Sequence, residues 1–222
     1  MKINFEGLQK GGAKTRRTEV VNTELGYLWA NLLQRGVMDT HRAIGFCAIG
    51  DEGSNLVAAN LAMFLGSKGK RVALVEAALR APALAAVFQA TPTPGLADLL
   101  AGKAQMRDVL RIQVAVGVDL VPAGQCTDPF WSFTGEGLRG IVGELLAGRD
   151  LCFVDVPAMN APEASLVVRN LDAVVLVVET NRHHAEVVRR NLTYLRSLGT
   201  PVLGSVANEL VHEVPTLLSK LL

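Results

Sequence analysis

A three-layer, doubly wound α/β fold with a mostly parallel sheet is what this sequence predicts, and three observations predict it. Short apolar stretches alternate with segments of helical periodicity, the order from which a parallel sheet covered by helices is built. The apolar stretches are near-continuous, as in Lys70-Arg-Val-Ala-Leu-Val-Glu76, which is how strands covered on both faces read. The third observation is local: an apolar strand from Ala43 to Ile49, a tight turn holding Gly50 and Gly53, and a helix beginning near Ser54. That strand, glycine turn and helix have the layout of a phosphate-binding P-loop, where backbone N–H groups and a helix N-terminus face an anion. The predicted fold is therefore P-loop NTPase-like, with ligands at the carboxyl ends of the strands.

The elements follow in order. Residues 1–18 are polar and contain glycine, and read as an N-terminal arm; residues 19–222 read as one domain, a length that buries a good core. The arm holds Lys10-Gly-Gly-Ala-Lys-Thr15, which looks like a phosphate loop but follows no strand and opens no apolar helix, so it is read as chance. Val20, Val21, Leu25, Leu28, Leu32 and Leu33 recur at helical spacing. After the strand and glycine turn come a second strand ending at Glu76 and helices over Ala81–Phe88, Gly95–Ala101 and Ala104–Arg111. A strand at Val118–Val121 and a helix over Gly135–Ala147, stopped by Gly148, come next. Strands at Leu151–Asp155, Asp172–Glu179 and Val202–Val206 flank a helix over His184–Ser197, and a last helix is predicted over Pro215–Leu222.

Composition narrows the function. Half the residues are hydrophobic, and 22 basic residues against 21 acidic ones leave a net charge of +1. No basic footprint for nucleic acid exists beyond the short Lys14-Thr-Arg-Arg17, read as a solvated arm. Cys47, Cys126 and Cys152 lack metal or redox spacing, and Cys47 and Cys152 sit in strand patterns, which suits a reducing compartment. No apolar run approaches the ~20 residues of a membrane span, and no signal peptide opens the chain, so a soluble cytoplasmic protein is expected. His183-His184 has no ligand partners at matching spacing and is read as surface. The aromatics of Asp128-Pro-Phe-Trp131 are expected to pack inward rather than stack on a ligand.

Five blocks carry a resemblance: Val57-Ala-Ala-Asn-Leu-Ala62, Val75-Glu-Ala-Ala-Leu-Arg-Ala-Pro82, Gly95-Leu-Ala-Asp-Leu-Leu-Ala-Gly102, Leu120-Val-Pro-Ala-Gly124 and Phe153-Val-Asp-Val-Pro157. In this order and spacing the chain resembles the cytoplasmic domain of bacterial tyrosine autokinases that control capsule and exopolysaccharide export. These belong to the wider group of partition and septum-site ATPases, and the resemblance spans Thr23 to Glu209.

The resemblance implies an ATP site, and the chain departs from it residue by residue. Glu52 and Gly53 match the family's loop, but Ser54 stands at its phosphate-binding lysine and Asn55 at its Mg²⁺-binding hydroxyl, with Asp51 at an earlier glycine and Leu56 at the following hydroxyl. Two family aspartates are here Glu76 and Ala78; Asp155 is retained, and the second proline after it is Ala158. A hydrogen bond to a charged group is worth about 1.5–3 kcal/mol. Losing two such partners moves a site from about −8 kcal/mol, micromolar, toward about −4, millimolar. Ser54 is read as the N-cap of its helix. Asp155 is either a vestigial metal ligand or a hydrogen-bond partner of the loop after Gly50, and Glu76 is read as structural. The family's tyrosine-rich tail has no counterpart beyond Tyr27 and Tyr194, both within predicted helices, and its ring-assembly motif falls on Thr23, Gly26 and Trp29.

The expectation is a non-catalytic pseudokinase or pseudo-ATPase, with Glu52, Gly53, Ser54, Asn55, Glu76 and Asp155 as a vestigial cofactor site and no catalytic or metal residues. No cofactor is expected, beyond weak ATP, ADP or phosphate binding. The implied partner is a membrane polysaccharide co-polymerase or an active paralogous kinase, reached in part through Tyr27 and Trp29, since aromatics anchor interfaces. That contact would hold a cytoplasmic protein at the inner membrane. Two alternatives stay open: an atypical ATPase or tyrosine kinase, and a positioning protein of the partition group.

Overall fold

The computed structural model describes residues 2–3, 14–50, 53–179 and 182–208, with side chains from residue 22 onward. The chain runs β1 (Lys2–Ile3), α1 (Lys14–Gln34), β2 (Ala43–Ala48), α2 (Ser54–Ser67), β3 (Val72–Glu76), α3 (Leu84–Val87), α4 (Leu96–Leu100) and α5 (Met106–Val109). It continues through β4 (Arg111–Ala115), β5 (Val118–Val121), α6 (Pro129–Ser132), α7 (Gly137–Ala147), β6 (Leu151–Asp155), α8 (Ala164–Val168), β7 (Ala173–Glu179), α9 (Ala185–Ser197) and β8 (Val202–Asn208). Among the described residues the sheet has eight strands in the order β1-β8-β7-β2-β6-β3-β5-β4, all parallel except β4, which runs antiparallel to β5.

Strand alternation builds two cores. Ala43, Cys47, Ala73, Val75, Cys152, Val154 and Leu176 pack under α4, α7, α8 and α9 through Leu96, Leu138, Val142, Leu145, Val167 and Leu195. Their strand neighbours Ile44, Phe46, Val72, Leu74, Leu151 and Phe153 face α1 and α2 through Leu25, Leu28, Leu32, Val57, Leu61 and Leu65. Phe46 and Phe153 meet edge to face at 5.2 Å in that second core. Successive strand side chains point to opposite faces, so one apolar run supplies both layers. The three-layer, doubly wound prediction holds.

The differences lie at the margins. The helix expected from Glu19 begins at Lys14, and Lys2–Ile3 pairs with β8 as the edge of the sheet, so parts of the stretch read as an arm are regular structure. The helix expected over Ala104–Arg111 stops at Val109, and β4 follows. β4 is a polar edge strand with an irregular register, and its Gln113 has φ of 52° and an N–H donated to Asp119 Oδ1. It carries no apolar run, because only one face and one edge are covered. The helices α6 and α8 were not anticipated. The predicted helix over Pro215–Leu222 and most of the Lys10–Thr15 loop lie outside the described residues.

Parallel pairing gathers the strand ends. Phe46 of β2 and Glu76 of β3 both register with Asp155 of β6, and Glu179 of β7 with Asn208 of β8. β2 lies between β7 and β6, both of which come later in the chain, so the turn after β2 opens at the reversal of strand order where such sheets bind ligands.

Candidate functional site

The site is built at the start of α2. Gly53 is the N-cap residue, in the left-handed region with φ of 63°, and no side chain caps the helix. A Cβ at Gly53 would lie 3.1 Å from Asn208 Nδ2, so both conformation and space favour glycine there. The N-cap reading of Ser54 is therefore corrected: Ser54 is the first helical residue, and its buried hydroxyl donates to Asp155 Oδ1 at 3.1 Å. A cap signal is local in sequence, whereas this bond spans 101 positions and depends on β6 lying beside β2. Asn55 turns back on its own helix, its Oδ1 accepting the Leu56 N–H at 2.8 Å. Glu52, with Asp51, lies outside the described residues.

Both carboxyl groups at the strand ends have protein partners. Asp155 is buried, and its carboxyl is pushed up to about 8: burial raises it most, the Ser54 hydrogen bond opposes this, and the Glu76 charge adds to it. With no ion beside it, the carboxyl is mainly protonated at neutral pH. Glu76, fully buried, accepts N–H groups of Ala83 at 2.5 Å and Leu84 through Oε1, and of Ala123 at 3.0 Å through Oε2. Those bonds tie the start of α3 and the segment after β5 to the end of β3.

Sequence reasoning missed three contributors. Arg80 forms a forked ion pair with the buried Glu163, Nε to Oε1 at 2.5 Å and Nη2 to Oε2 at 3.2 Å, and this pairing raises the Arg80 pKa. Arg80 lies inside a block that carried the resemblance; Glu163, 83 positions away, had no sequence signal. Asn208 is completely buried, with neither amide atom hydrogen-bonded. Its position at a strand end beside Gly53 appears only once β8 is placed in the sheet.

Between the α2 start, Arg80 and the segment after β6 lies a cavity of about 180 Å³ lined by Gly53, Ser54, Asn55, Arg80, Asp155 and Asn160. Typical ligand pockets run about 300–1,000 Å³. At its edge Arg80 pairs with Glu163, and Asp155 accepts the Ser54 hydroxyl.

The remaining candidates disperse. Tyr27 is 64% exposed on α1, while Trp29 is partly buried against the α1–α2 core, so the two do not form one outward contact. Trp131 corrects the inward-packing expectation: it is 69% exposed, edge-on to Phe130 at 5.5 Å, because Asp128 caps α6 by accepting the Trp131 N–H and the short helix turns the ring outward. Cys47 and Cys152 are buried, which pushes both thiols up to about 12. Among the described residues no three His, Cys, Asp or Glu side chains gather at metal-binding distance, and no helix is long and apolar enough to cross a membrane.

No protein-family model matches the chain. It is 29% identical over 160 residues to the putative tyrosine-protein kinase EpsB of Ralstonia nicotianae, covering 71% of this chain and 21% of that protein. It is 27% identical over 168 residues to the succinoglycan biosynthesis transport protein ExoP of Rhizobium meliloti, 73% of this chain and 21% of that protein. An uncharacterized ATP-binding protein of Methanocaldococcus jannaschii is 26% identical over 165 residues, 74% of this chain and 62% of that protein. The chain thus spans from about a fifth to three fifths of these relatives. Among solved structures, the kinase domain of the Escherichia coli tyrosine kinase ETK superposes with a TM-score of 0.82 at 20% identity, covering 93% of this chain and 85% of that one. The cell division ATPase MinD of Pyrococcus furiosus does so at 0.66 and 22% identity, covering 81% and 80%. The homologues of this chain are bacterial tyrosine-protein kinases, and its fold is that of their kinase domains, shared with MinD-type P-loop ATPases.

Proposed function

We propose that the chain is a non-catalytic relative of these kinases that acts by protein–protein contact in exopolysaccharide or capsule assembly and export. The observation that carries this reading is the Ser54–Asp155 hydrogen bond. Where the resemblance sets a lysine for nucleotide phosphates, the chain places a hydroxyl that serves the neighbouring carboxyl. Phosphoryl transfer relies on positioned charge, and a neutral hydroxyl bonded to a largely protonated acid supplies none. Asn55 and Glu76 support the reading, since each engages backbone N–H groups of the chain itself. The polysaccharide context draws on the succinoglycan transport relative. The partner proposed is a membrane polysaccharide co-polymerase or an active paralogous kinase, with this chain held in the cytoplasm beside the inner membrane through that partner. No cofactor is proposed, beyond weak binding of ATP, ADP or phosphate at a helix N-terminus.

A second reading, an atypical ATPase or tyrosine kinase, has one observation in its favour: Asn208 keeps two unbonded polar atoms buried beside Gly53. Calorimetric titration with Mg-ATP and Mg-ADP to millimolar concentration separates the two. The expected result is no binding heat below millimolar; micromolar binding would overturn the non-catalytic reading.

A further inference from the structure

A groove of about 350 Å³ lies beside the vestigial cavity, on the α9 side of the sheet. Ile49 after β2 and Met159 after β6, both nearly buried, form its floor, and the Met159 N–H donated to Ala48 O at 2.8 Å holds that floor together. Arg190, Asn191 and Tyr194 of α9 and Asn160 complete it; Asn160 also lines the smaller cavity, so it borders both.

Most polar groups of this groove have no partner among the described residues. There the Arg190 guanidinium, the Tyr194 hydroxyl and the Asn160 amide make no hydrogen bond or ion pair, and Asn191 uses only its Nδ2, donated to Val187 O at 2.9 Å. Arg190 is the charged group among the described lining residues, and of its exposed neighbours on α9 Arg189 is basic and Glu186 acidic, which leaves a net positive face suited to an acidic occupant. The Asn160 amide and the Asn191 Oδ1 beside an apolar floor suit the alternating peptide groups and side chains of an extended chain. We propose that this groove binds an acidic, extended segment of a partner protein. A carboxylate pairs with Arg190, peptide groups bond Asn160 and Asn191, and an apolar side chain covers Ile49 and Met159. The proposal rests on the reading that the chain works by protein contact, and names the surface that does so.

Selection of a random peptide library displayed on phage, with the whole chain immobilised, tests it. Recovered peptides are expected to be enriched in Asp and Glu over the unselected library. They should bind the Arg190→Glu variant about tenfold more weakly or worse, the scale of one charge-assisted hydrogen bond. Arg196→Glu, exposed on the same helix outside the groove, should leave binding unchanged. Recovered peptides without acidic enrichment, or binding indifferent to Arg190→Glu, overturn the proposal. So does sedimentation of the chain with phosphatidylserine vesicles that depends on Arg190 and that acidic peptides fail to displace. Micromolar ATP binding would overturn the non-catalytic reading while leaving the peptide result standing; peptide failure with no ATP binding would overturn the groove alone.

Discussion

The proton on Asp155 at neutral pH follows from its surroundings, and it links this residue to stability. A carboxyl whose folded pKa is near 8 and whose unfolded value is near 3.8 holds its proton more tightly in the folded state throughout that interval. Its contribution is therefore full below about pH 4 and is lost as pH rises toward 8, at up to about 1.4 kcal/mol per pH unit. Asp155→Asn removes the titration and keeps an acceptor for the Ser54 hydroxyl. Urea unfolding at pH 5 and pH 8 should find the variant gaining on the parent as pH rises. A stability difference that stays flat with pH would show that Asp155 is ionised in the folded protein, and would return it to the candidates for metal binding.

At the scale of elements, Glu76 is the joint between β3, the start of α3 and the segment after β5. One carboxylate accepting N–H groups from two separate segments fixes both against the sheet end, where neither has a ladder to satisfy it. A buried donor left without a partner costs about 1–3 kcal/mol. Glu76→Ala strands the N–H groups of Ala83, Leu84 and Ala123, so a loss of at least about 3 kcal/mol is expected in urea unfolding. Glu76→Gln, which keeps one acceptor oxygen, should lose less. Equal, small losses for both variants would contradict the joint. The elements differ sharply in how well their sequence announces them. Val72–Glu76 and Leu151–Asp155 are apolar because both faces are buried, so their pattern is visible without the fold. Arg111–Ala115 alternates Ile112 and Val114 with polar or small residues, but the run is short and follows directly on a helix, so its pairing with β5 is what marks it as a strand.

For the whole molecule, the two cores are two faces of the same strands. Cys47 and Cys152 lie in the core under α7 to α9, and Trp29 packs against the core under α1 and α2. Loosening either core exposes the other's strands, so unfolding should be a single transition. In a urea series, the fluorescence of Trp29, followed in a Trp131→Phe background, should share its midpoint with pulsed thiol labelling of Cys47 and Cys152. Separate midpoints would mean that one helical layer detaches first. The same geometry explains why the candidate site was partly legible. Gly53, Ser54, Asn55 and Asp155 were singled out because each stands at a recognisable motif position. Contact of Asp155 with the segment after Gly50 was one of its two open readings; the Asn55 bond to Leu56 was not legible, because a motif position does not say which neighbour a different side chain contacts.

The sequence by itself determined the layers, the strand runs at the centre of the sheet and the glycine turn after β2. All of these depend on residue type and on neighbours a few positions away. Only the tertiary structure decided that Ser54 bonds Asp155 instead of capping α2, that Arg80 is held by Glu163, and that Trp29 turns inward onto the α1–α2 core. The Ser54–Asp155 and Arg80–Glu163 contacts join segments far apart in the chain, by 101 and 83 positions. They exist because β6 is inserted between β2 and β3, a consequence of strand order that no local pattern contains.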